Sequence, residues 1–499
     1  MDPAMARSIS FHHLCVASLS LAWGRAKASQ HGSMRVCTQK DAARCQGDCK
    51  TYGLALGQCY SPSLLFPQDP VWGRLDVFDI CDGVTWNRTF FESVDGTCSG
   101  KVESSFSTIV GECVGPFGRP QPWGSFHCPH QQRRALPSGN LILGYATNCR
   151  NAVDAATVVR EAELGVNVII WFSSNLVGAA GKPQVESGLD HRCVAGVAWN
   201  LRVRGLATTH LISVGGWDAP HPNTSFSGEA WFRAWQQWNE EVAAQPDFGF
   251  DGYDGIDWDL EGNDELASPW NHFTVACMDL VGSMSQAAKR AGFVVSLVPP
   301  QSYLDTETSA FDLNLTHAYA SYHPEFHYHS HNSYALLLAK FDTWEGSTPV
   351  FDLVDVQLYE SWSRAAAAIQ GQGQVPEVYL QRWIRTATSD GWEVDFEQEP
   401  SVGLSRTRIV VNPSRFIVGI SMGSNDGSGK SLYIPPAVLA RTFAGLPASQ
   451  RPRGAMFWNV MDDGKPMNGT GGPPVSLAAG LNSFLRVRGA ARPPPVFMV

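Results

Sequence analysis

The sequence predicts an α/β protein in which a TIM (β/α)8 barrel of parallel strands follows a small domain stapled by disulfides. Two observations predict this fold. Eight of the 12 cysteines lie between Cys37 and Cys128, whereas from about residue 140 onward short apolar runs alternate with helical patterns. Apolar strands that alternate with helices are typical of parallel βα units, and eight such units close into a barrel.

The composition is that of an ordinary globular protein with an acidic balance. The chain has 499 residues, of which 44% are hydrophobic and 17% are charged, and its net charge is −10. Because it has no basic run, nucleic acid and anionic membranes are poor partners, whereas a neutral sugar polymer is compatible. After the first 28 residues no run reaches the roughly 18 apolar residues of a membrane span. We therefore expect a soluble protein.

Residues 1–28 have the pattern of a secretory signal peptide. Arg7 precedes the apolar segment Leu14–Trp23, and Ala26-Lys27-Ala28 offers a cleavage site. The alternative is an unstructured cytosolic tail. A signal peptide predicts a secreted or extracellular protein, in which four Asn-x-Ser/Thr sequons become candidate glycosylation sites, namely Asn87, Asn223, Asn314 and Asn468.

Residues 29–130 form the predicted cysteine-rich accessory domain. Eight cysteines in a secreted segment of this size indicate a disulfide framework, with 105 possible pairings. Zinc fits less well, because only Cys45 and Cys49 have close ligand spacing. Further along, Cys149, Cys193 and Cys277 leave an odd number, so at least one thiol is expected to be free or paired between chains.

Three tryptophans of this domain, Trp72, Trp86 and Trp123, could stack on sugar rings. We prefer to interpret them as core residues, because a small domain has few other large apolar side chains.

A polar connector at residues 131–139, punctuated by Pro and Gly, marks the domain boundary. The barrel is predicted over residues 140–487, and the Pro-rich tail at 488–499 is expected to be disordered. The eight predicted strands are Leu141–Ala146, Val166–Phe172, His210–Val214, Tyr253–Leu260, Phe293–Val298, Phe351–Tyr359, Phe416–Ser421 and Ala455–Val460.

The fourth of these strands and the residue after it carry three acids on one face. In an extended chain Asp257, Asp259 and Glu261 point to the same side, at spacings of roughly 7 Å. Crowded carboxylates repel and hold protons near neutral pH, which suits acid catalysis with Glu261 as the proton donor. The alternatives are a solvated acidic turn and a calcium loop, although the calcium pattern requires Glu where this chain has Ser268.

The same stretch resembles a known family signature. Asp254 to Glu261 read D-G-I-D-W-D-L-E, similar to the D-G-x-D-x-D-x-E motif of glycoside hydrolase family 18, the chitinases. Ser213 to Gly216 read S-V-G-G, similar to the S-x-G-G motif of that family, and Val356 to Tyr359 resemble the V-Q-x-Y of plant class III chitinases. The resemblance covers about residues 140–487, and it too implies a TIM barrel.

The resemblance implies a substrate-assisted, retaining mechanism. Glu261 protonates the glycosidic oxygen, and the N-acetyl carbonyl of the substrate itself attacks the anomeric carbon. Asp259 orients the acetamido group, Asp257 shares a proton with Asp259, and Tyr359 holds the acetamido group in place. The residues implied to bind substrate are Gln357, Trp458, Tyr145 and Asp254.

The implied partner is chitin or an N-acetylglucosamine oligosaccharide, acted on by a monomer without cofactor or metal. The first alternative is an endo-β-N-acetylglucosaminidase acting on glycoprotein glycans. The second is a catalytically silent chitin-binding lectin, although family lectins commonly lack the final Glu, which this chain keeps.

Two features depart from the family pattern. Glu360 follows Tyr359 where the family more often has Asn or Asp. A loop after the fifth strand is rich in histidine, which allows a metal site, although we prefer a solvated, pH-responsive loop. The histidines are His317, His323, His327, His329 and His331.

Overall fold

The structure is a computed structural model. It describes residues 31–41, 44–69, 72–81, 85–117, 122–127, 135–179, 181–263, 265, 267–315, 331–344, 348–360, 363–422, 432–465 and 476–487. The predicted signal peptide, the predicted tail, the first part of the linker, Cys128 and Asn468 lie outside these ranges. The chain divides into two compact units, Met1–Pro129 and His130–Val499.

The first unit contains two antiparallel sheets. One has three strands, β1 (His31–Asp41), β2 (Arg44–Ala55) and β7 (Trp123–His127), with β1 in the middle. The other has four strands in sequence order, β3 (Cys59–Tyr60), β4 (Asp76–Cys81), β5 (Thr85–Phe91) and β6 (Val102–Ile109). A short helix, α1 (Pro62–Leu65), follows β3.

Disulfides staple this unit, as the cysteine spacing predicts. The pairs are Cys37–Cys49, Cys45–Cys113 and Cys59–Cys98, and Cys81 is also disulfide-bonded. A unit of this size has a small core, so these covalent links add stability that apolar packing alone supplies poorly.

The core of the first unit is aromatic. Trp86 is fully buried, and the ring of Trp72 packs 4.9 Å from Tyr52 and 5.5 Å from Phe66, centroid to centroid. The interpretation of Trp72 and Trp86 as core residues is therefore confirmed.

The second unit is a closed barrel of eight parallel strands. In chain order these are β8 (Leu141–Ala146), β9 (Val168–Ala179), β11 (Thr209–Gly216), β12 (Gly255–Leu260), β13 (Val294–Leu297), β16 (Leu353–Gln357), β19 (Phe416–Ser421) and β20 (Gly454–Trp458). Each pairs with the next, and β8 pairs with both β20 and β9, which closes the barrel. The predicted fold and all eight predicted strands are confirmed.

Additional strands lie outside the barrel. β9 runs past the predicted end, because its second half pairs with the antiparallel strand β10 (Lys182–Ser187). Two small antiparallel pairs are formed by β14 (Thr343–Trp344) with β15 (Thr348–Pro349) and by β17 (Trp392–Val394) with β18 (Thr407–Ile409).

Helices connect the strands and pack outside them. They are α2 (Ala152–Leu164), α3 (His191–Val203), α4 (Gly228–Trp238), α5 (Val275–Arg290), α6 (Ala335–Phe341), α7 (Arg364–Ala366), α8 (Pro376–Arg385), α9 (Pro436–Ala444) and α10 (Leu477–Leu485). Polar side chains cap many of their first turns, including Asn151, Asp190, Ser227 and Thr274. Within the described ranges every helix is too short or too polar to span a bilayer.

The barrel contains one disulfide and one unpaired cysteine among its described residues. Cys149 and Cys193 form a disulfide, and Cys277 on α5 is a buried free thiol. The expectation of at least one unpaired thiol is confirmed.

The barrel interior changes character along its axis. Apolar side chains fill its lower part, including Leu141, Val168, Leu211, Leu353 and Ile417. Polar and acidic side chains follow toward the carboxyl ends of the strands. Active sites of this fold lie at that end, so the candidate site residues are those at the upper rim.

A buried carboxyl pair joins the first barrel helix to the last strand connection. Glu161 on α2 is 1% exposed and lies beside Asp463, whose carboxylate accepts the backbone N–H groups of Leu477 and Ala478 at the start of α10. Burial, and then the neighbouring Asp463, raise the pKa of Glu161 to about 8, although Arg160, which donates to Glu161 Oε1 at 2.6 and 2.9 Å, acts to lower it. The neutral form of Glu161 is therefore favoured in the fold at neutral pH.

Replacing Glu161 with Gln should flatten the pH dependence of stability. The pKa of Glu161 rises from 4.5 to about 8 on folding, so its contribution to stability is present below pH 4.5 and is lost as the pH rises through 8. The Gln variant should unfold a few degrees above wild type at pH 9 and at nearly the same temperature at pH 4. Thermal unfolding at both pH values measures this.

Glu163→Gln is the control, because Glu163 lies on the same helix with 46% of its side chain exposed. Parallel pH profiles for wild type and Glu161→Gln would contradict the assignment of a neutral Glu161.

Candidate active site

The three acids form a row along β12, pointing into the barrel. Asp257, Asp259 and Glu261, here called the acid row, are all buried. On the outer face of the same strand Trp258 donates its indole N–H to Ser285 Oγ at 2.9 Å. The predicted alternation is therefore confirmed, and the strand geometry excludes both the acidic turn and the calcium loop.

Asp257 is the deepest member and is surrounded by hydroxyl groups. Tyr145 on β8 donates its hydroxyl to Asp257 Oδ2 at 2.5 Å. The strand registers place Ser213 of β11 and Ser296 of β13 on either side of Asp257. Burial raises the pKa of Asp257 to about 6, although the nearby hydroxyls of Tyr145, Ser296 and Ser213 act to lower it.

One amide group holds the other two acids. The side-chain nitrogen of Gln357 on β16 lies 2.9 Å from Asp259 Oδ1 and 3.2 Å from Glu261 Oε1. It also lies 2.8 Å from the carbonyl oxygen of Val298. A side-chain amide at this position can donate to both carboxyl groups without adding charge.

Asp259 and Glu261 each change the pKa of the other. Burial raises the pKa of both, and the charges of Glu261 and Asp257 raise that of Asp259 further. Their mutual hydrogen bond raises the pKa of Asp259 and lowers that of Glu261, and Glu360 lowers the pKa of Glu261 as well. The protonation of one therefore depends on that of the other.

Aromatic groups outside the barrel fix the backbone at Glu261. His221 Nε2 lies 3.1 Å from the carbonyl oxygen of Glu261, and its ring stacks on Phe273 at 4.6 Å. Burial lowers the pKa of His221 to about 4, so the ring is neutral and donates Nε2–H. Tyr334 accepts the backbone N–H of Leu260 at 2.7 Å.

The two glycines of the S-V-G-G stretch allow strands to approach each other closely at the site. Both have positive φ, +100° at Gly215 and +115° at Gly216. A Cβ on Gly215 would lie 2.6 Å from the carbonyl oxygen of Asp259, and one on Gly216 would lie 2.3 Å from the ring of Phe172. Any larger residue would displace the neighbouring strand or this ring.

Aromatic rings line the barrel end beside the acid row. Trp458 is half-buried, and its ring lies 5.5 Å from that of Tyr145 and 5.1 Å from that of Phe172. Tyr359 follows β16 and is also half-buried; burial and then the nearby acids raise its pKa well above the usual range. Trp217 follows β11 and is 52% exposed.

Sequence reasoning missed three of these groups. His221 and Trp217 lie outside the predicted strands, and Phe172 ends the second predicted strand without any sign in the sequence that its ring reaches the site. The position of Trp217, directly after the glycine pair at the end of a predicted strand, is the one signal that could have found it.

The structure brings most of the predicted site residues together, but it separates Asp254 from them. Asp254 precedes β12 at the opposite end of the barrel, where its Oδ2 accepts the backbone N–H of His210 at 2.7 Å. It ties the start of β12 to β11 and is too far from Glu261 to share a substrate with it. Tyr145 is 1% exposed, and its hydroxyl donates a hydrogen bond to Asp257. Its role is therefore to support an acid, and its ring does not line a cleft.

The histidine-rich loop lies largely outside the described residues. Only His331 is described, and it is buried. In the part of the chain that the structure describes, no group of three or more His, Cys, Asp or Glu side chains could hold a metal ion.

No protein-family model and no curated protein matches this chain. Solved structures do match it. The catalytic domain of a hyperthermophilic chitinase from Pyrococcus furiosus is 13% identical, with a TM-score of 0.42 over 72% of this chain and 99% of its own. The GH18 chitinase ChiB from Flavobacterium johnsoniae is 13% identical, with a TM-score of 0.35 over 70% of this chain and 94% of its own.

A xylanase and alpha-amylase inhibitor protein from Scadoxus multiflorus is 16% identical, with a TM-score of 0.34 over 65% of this chain and 94% of its own. Sequence identities and TM-scores this low do not assign an activity.

The arrangement can deliver a proton and then take one back. Glu261 is the outermost member of the row, and Asp259 beneath it can refill its proton. Acids whose pKa values are raised toward neutrality are suited to such exchange.

Asp257→Asn should stabilise the fold above neutral pH. Folding raises the pKa of Asp257 from 3.8 to about 6, so wild type loses stability as the pH rises through that interval, by up to roughly 3 kcal/mol. The neutral variant avoids this loss. Thermal unfolding at pH 4 and pH 8 should show the difference only at pH 8.

Glu186→Gln, an exposed position on β10, is the control and should show no such pH-dependent gain. A lower unfolding temperature for Asp257→Asn at pH 8 would show that Asp257 is stabilised as an anion.

Proposed function

We propose that this protein is a secreted glycosidase that hydrolyses β-1,4-linked N-acetylglucosamine polymers with retention of configuration. The observation that carries the proposal is the acid row itself. Three buried carboxyl groups on one strand end at Glu261, which is hydrogen-bonded to Asp259 and Gln357. A set of this kind keeps a proton near the rim of the barrel for transfer to a glycosidic oxygen.

The spacing of the acids supports a nucleophile that comes from the substrate. Ordinary glycosidases place a second carboxyl about 5–9.5 Å from the acid, across the scissile bond. Here Asp259 lies on the same strand face as Glu261, and both Asp259 and Glu360 are close enough to lower the pKa of Glu261, so neither is a separate carboxyl group across the scissile bond. The carbonyl oxygen of an N-acetyl group on the substrate can fill that role.

The reaction then has two steps, formation of a cyclic intermediate and its hydrolysis. Glu261 gives its proton to the leaving oxygen while the acetamido oxygen bonds to the anomeric carbon, forming an oxazolinium ion. Asp259 stabilises the positive charge, and Asp257 adjusts the proton shared with Asp259. Water then attacks the anomeric carbon while Glu261 takes one of its protons. The bond between the acetamido oxygen and the anomeric carbon breaks, and Glu261 is again an acid. Tyr359 is placed to hold the acetamido group.

Aromatic surfaces support binding of a sugar chain. Trp458 offers a half-buried face next to Tyr145, and Trp217 offers an exposed ring on the rim. Sugar rings stack on such faces because both present apolar surface with polar edges. The disulfides of both units fit an oxidising compartment, in agreement with secretion.

Glu261→Gln should abolish cleavage while retaining binding. The amide keeps the shape of the carboxyl group but has no transferable proton, so kcat should fall on the order of 10³-fold. Turnover of N-acetylglucosamine oligomers and their affinity by calorimetry should be measured together. Glu265→Gln, at an exposed position four residues further on, is the matched control. Undiminished turnover by Glu261→Gln would refute the assignment.

Substrate assistance predicts a strict need for the N-acetyl group. The protein should cleave an N-acetylated oligomer and leave its deacetylated twin intact, because only the first carries the nucleophile. Product analysis by mass spectrometry distinguishes the two. Cleavage of high-mannose glycopeptides instead would indicate an endo-β-N-acetylglucosaminidase, and binding of the oligomer without any cleavage would indicate a lectin.

A further inference from the structure

A fourth acidic side chain, Asp355, is buried inside the barrel below Gln357. It lies on β16, two residues before that glutamine, and is 0% exposed. Its Oδ2 is 3.5 Å from Ser296 Oγ on β13, and its Oδ1 has no hydrogen-bond partner among the described residues. A carboxyl group in such a place is costly to bury in its charged form, so its position needs a reason.

Ser296 connects Asp355 to the acid row. It lies beside Asp257 in the register of β12 and β13, where Asp257 Oδ1 has no hydrogen-bond partner among the described residues. A serine hydroxyl has a single proton and can give it to only one of the two carboxyl groups at a time. The group that receives it decides how well the Asp257 anion is stabilised.

Among the described residues, the barrel strands around Asp355 offer it no positive partner. On β12 it faces Asp257, and β19 presents Ile417 beside it. The eight barrel strands contain one basic side chain, His210, which packs in the outer cluster against Phe250. Burial, and then the charge of Asp257, raise the pKa of Asp355 well above its usual range. Burial without a cation therefore favours the neutral form of Asp355, which has a proton to donate.

We propose that Asp355 is a positioning residue for the acid row, which donates its proton to Ser296 Oγ and so turns the Ser296 hydroxyl toward Asp257. The Asp257 anion then has two fixed hydroxyl donors, Ser296 and Tyr145. No covalent bond forms or breaks, and the proton stays on Asp355. The charge held on Asp257 keeps the next proton on Asp259, ready for Glu261.

The catalytic meaning of this hydrogen-bond relay rests on the proposed function, because it treats the acid row as the reacting group. The relay itself, from Asp355 through Ser296 to Asp257, is a property of the resting protein. It can therefore be tested with and without turnover.

Two variants break the relay in different ways. Asp355→Leu removes the donor, and Ser296→Ala removes the hydroxyl between the carboxyl groups. Each should raise the pKa of Asp257 and move the acid-side midpoint of the kcat/KM profile upward by about half a pH unit. Asp355→Asn, whose amide can still donate to Ser296, should recover most of this shift.

The matched control is Ser285→Ala. It also removes a buried hydroxyl next to β12, but on the outer face against Trp258, and should leave the midpoint in place. An unmoved midpoint in both relay-breaking variants, or an Asn variant shifted as far as the Leu variant, would overturn the proposal.

Infrared difference spectroscopy tests the relay without any substrate. At pH 7, Asp355→Asn should lack one carbonyl band of a protonated carboxyl group that wild type shows, and Ser296→Ala should shift that band. If no band is lost, Asp355 is ionised and the proposal fails, whether or not the protein cleaves a glycan. If the band behaves as expected but wild type cleaves no oligomer, the proposed function fails and the relay stands.

Discussion

Four carboxyl groups share one barrel interior with no cation among the inward-facing side chains of its strands. Asp257, Asp259, Glu261 and Asp355 are all buried, and ionising them together would cost many kcal/mol. The fold reduces this cost by favouring protonation of the buried groups and by giving the remaining charge neutral donors, among them the hydroxyl of Tyr145 and the amide of Gln357. Raised pKa values are the direct consequence.

The first unit handles a buried acid in the opposite way. Asp79 is fully buried, and Arg88 approaches both of its oxygens, with Nε 2.8 Å from Oδ1 and Nη2 2.7 Å from Oδ2. Such a bidentate pair gives the carboxyl group a fixed positive partner and two charge-assisted hydrogen bonds. The described residues around the acid row offer no such cation, so its carboxyl groups can change protonation state, at a cost in stability.

The surrounding barrel holds these carboxyl groups in fixed positions. Below the acid row the interior is filled by apolar side chains, and outside it Trp258, Tyr334 and His221 fix the backbone of β12 and of Glu261. The acids therefore cannot relieve their repulsion by moving apart. Preorganisation of this kind keeps the distance between Glu261 and its neighbours constant while protons move.

The sequence by itself determined the architecture and the acid row. Apolar runs separated by helical patterns located all eight barrel strands, and the period of two along β12 placed Asp257, Asp259 and Glu261 on one face. These are local properties, fixed by the backbone geometry of a few consecutive residues. The same extended geometry puts Asp254, at the start of the predicted strand, at the end away from Glu261.

Only the tertiary structure decided the partners of each acid. Tyr145 and Asp257 are 112 residues apart, and Gln357 and Asp259 are 98 apart. Their contacts depend on barrel closure and on strand register, where a shift of one residue would turn every inward side chain outward. The placement of Asp355 behind Ser296, and of His221 on the carbonyl of Glu261, follows from the same long-range packing, for which the chain has no local signal.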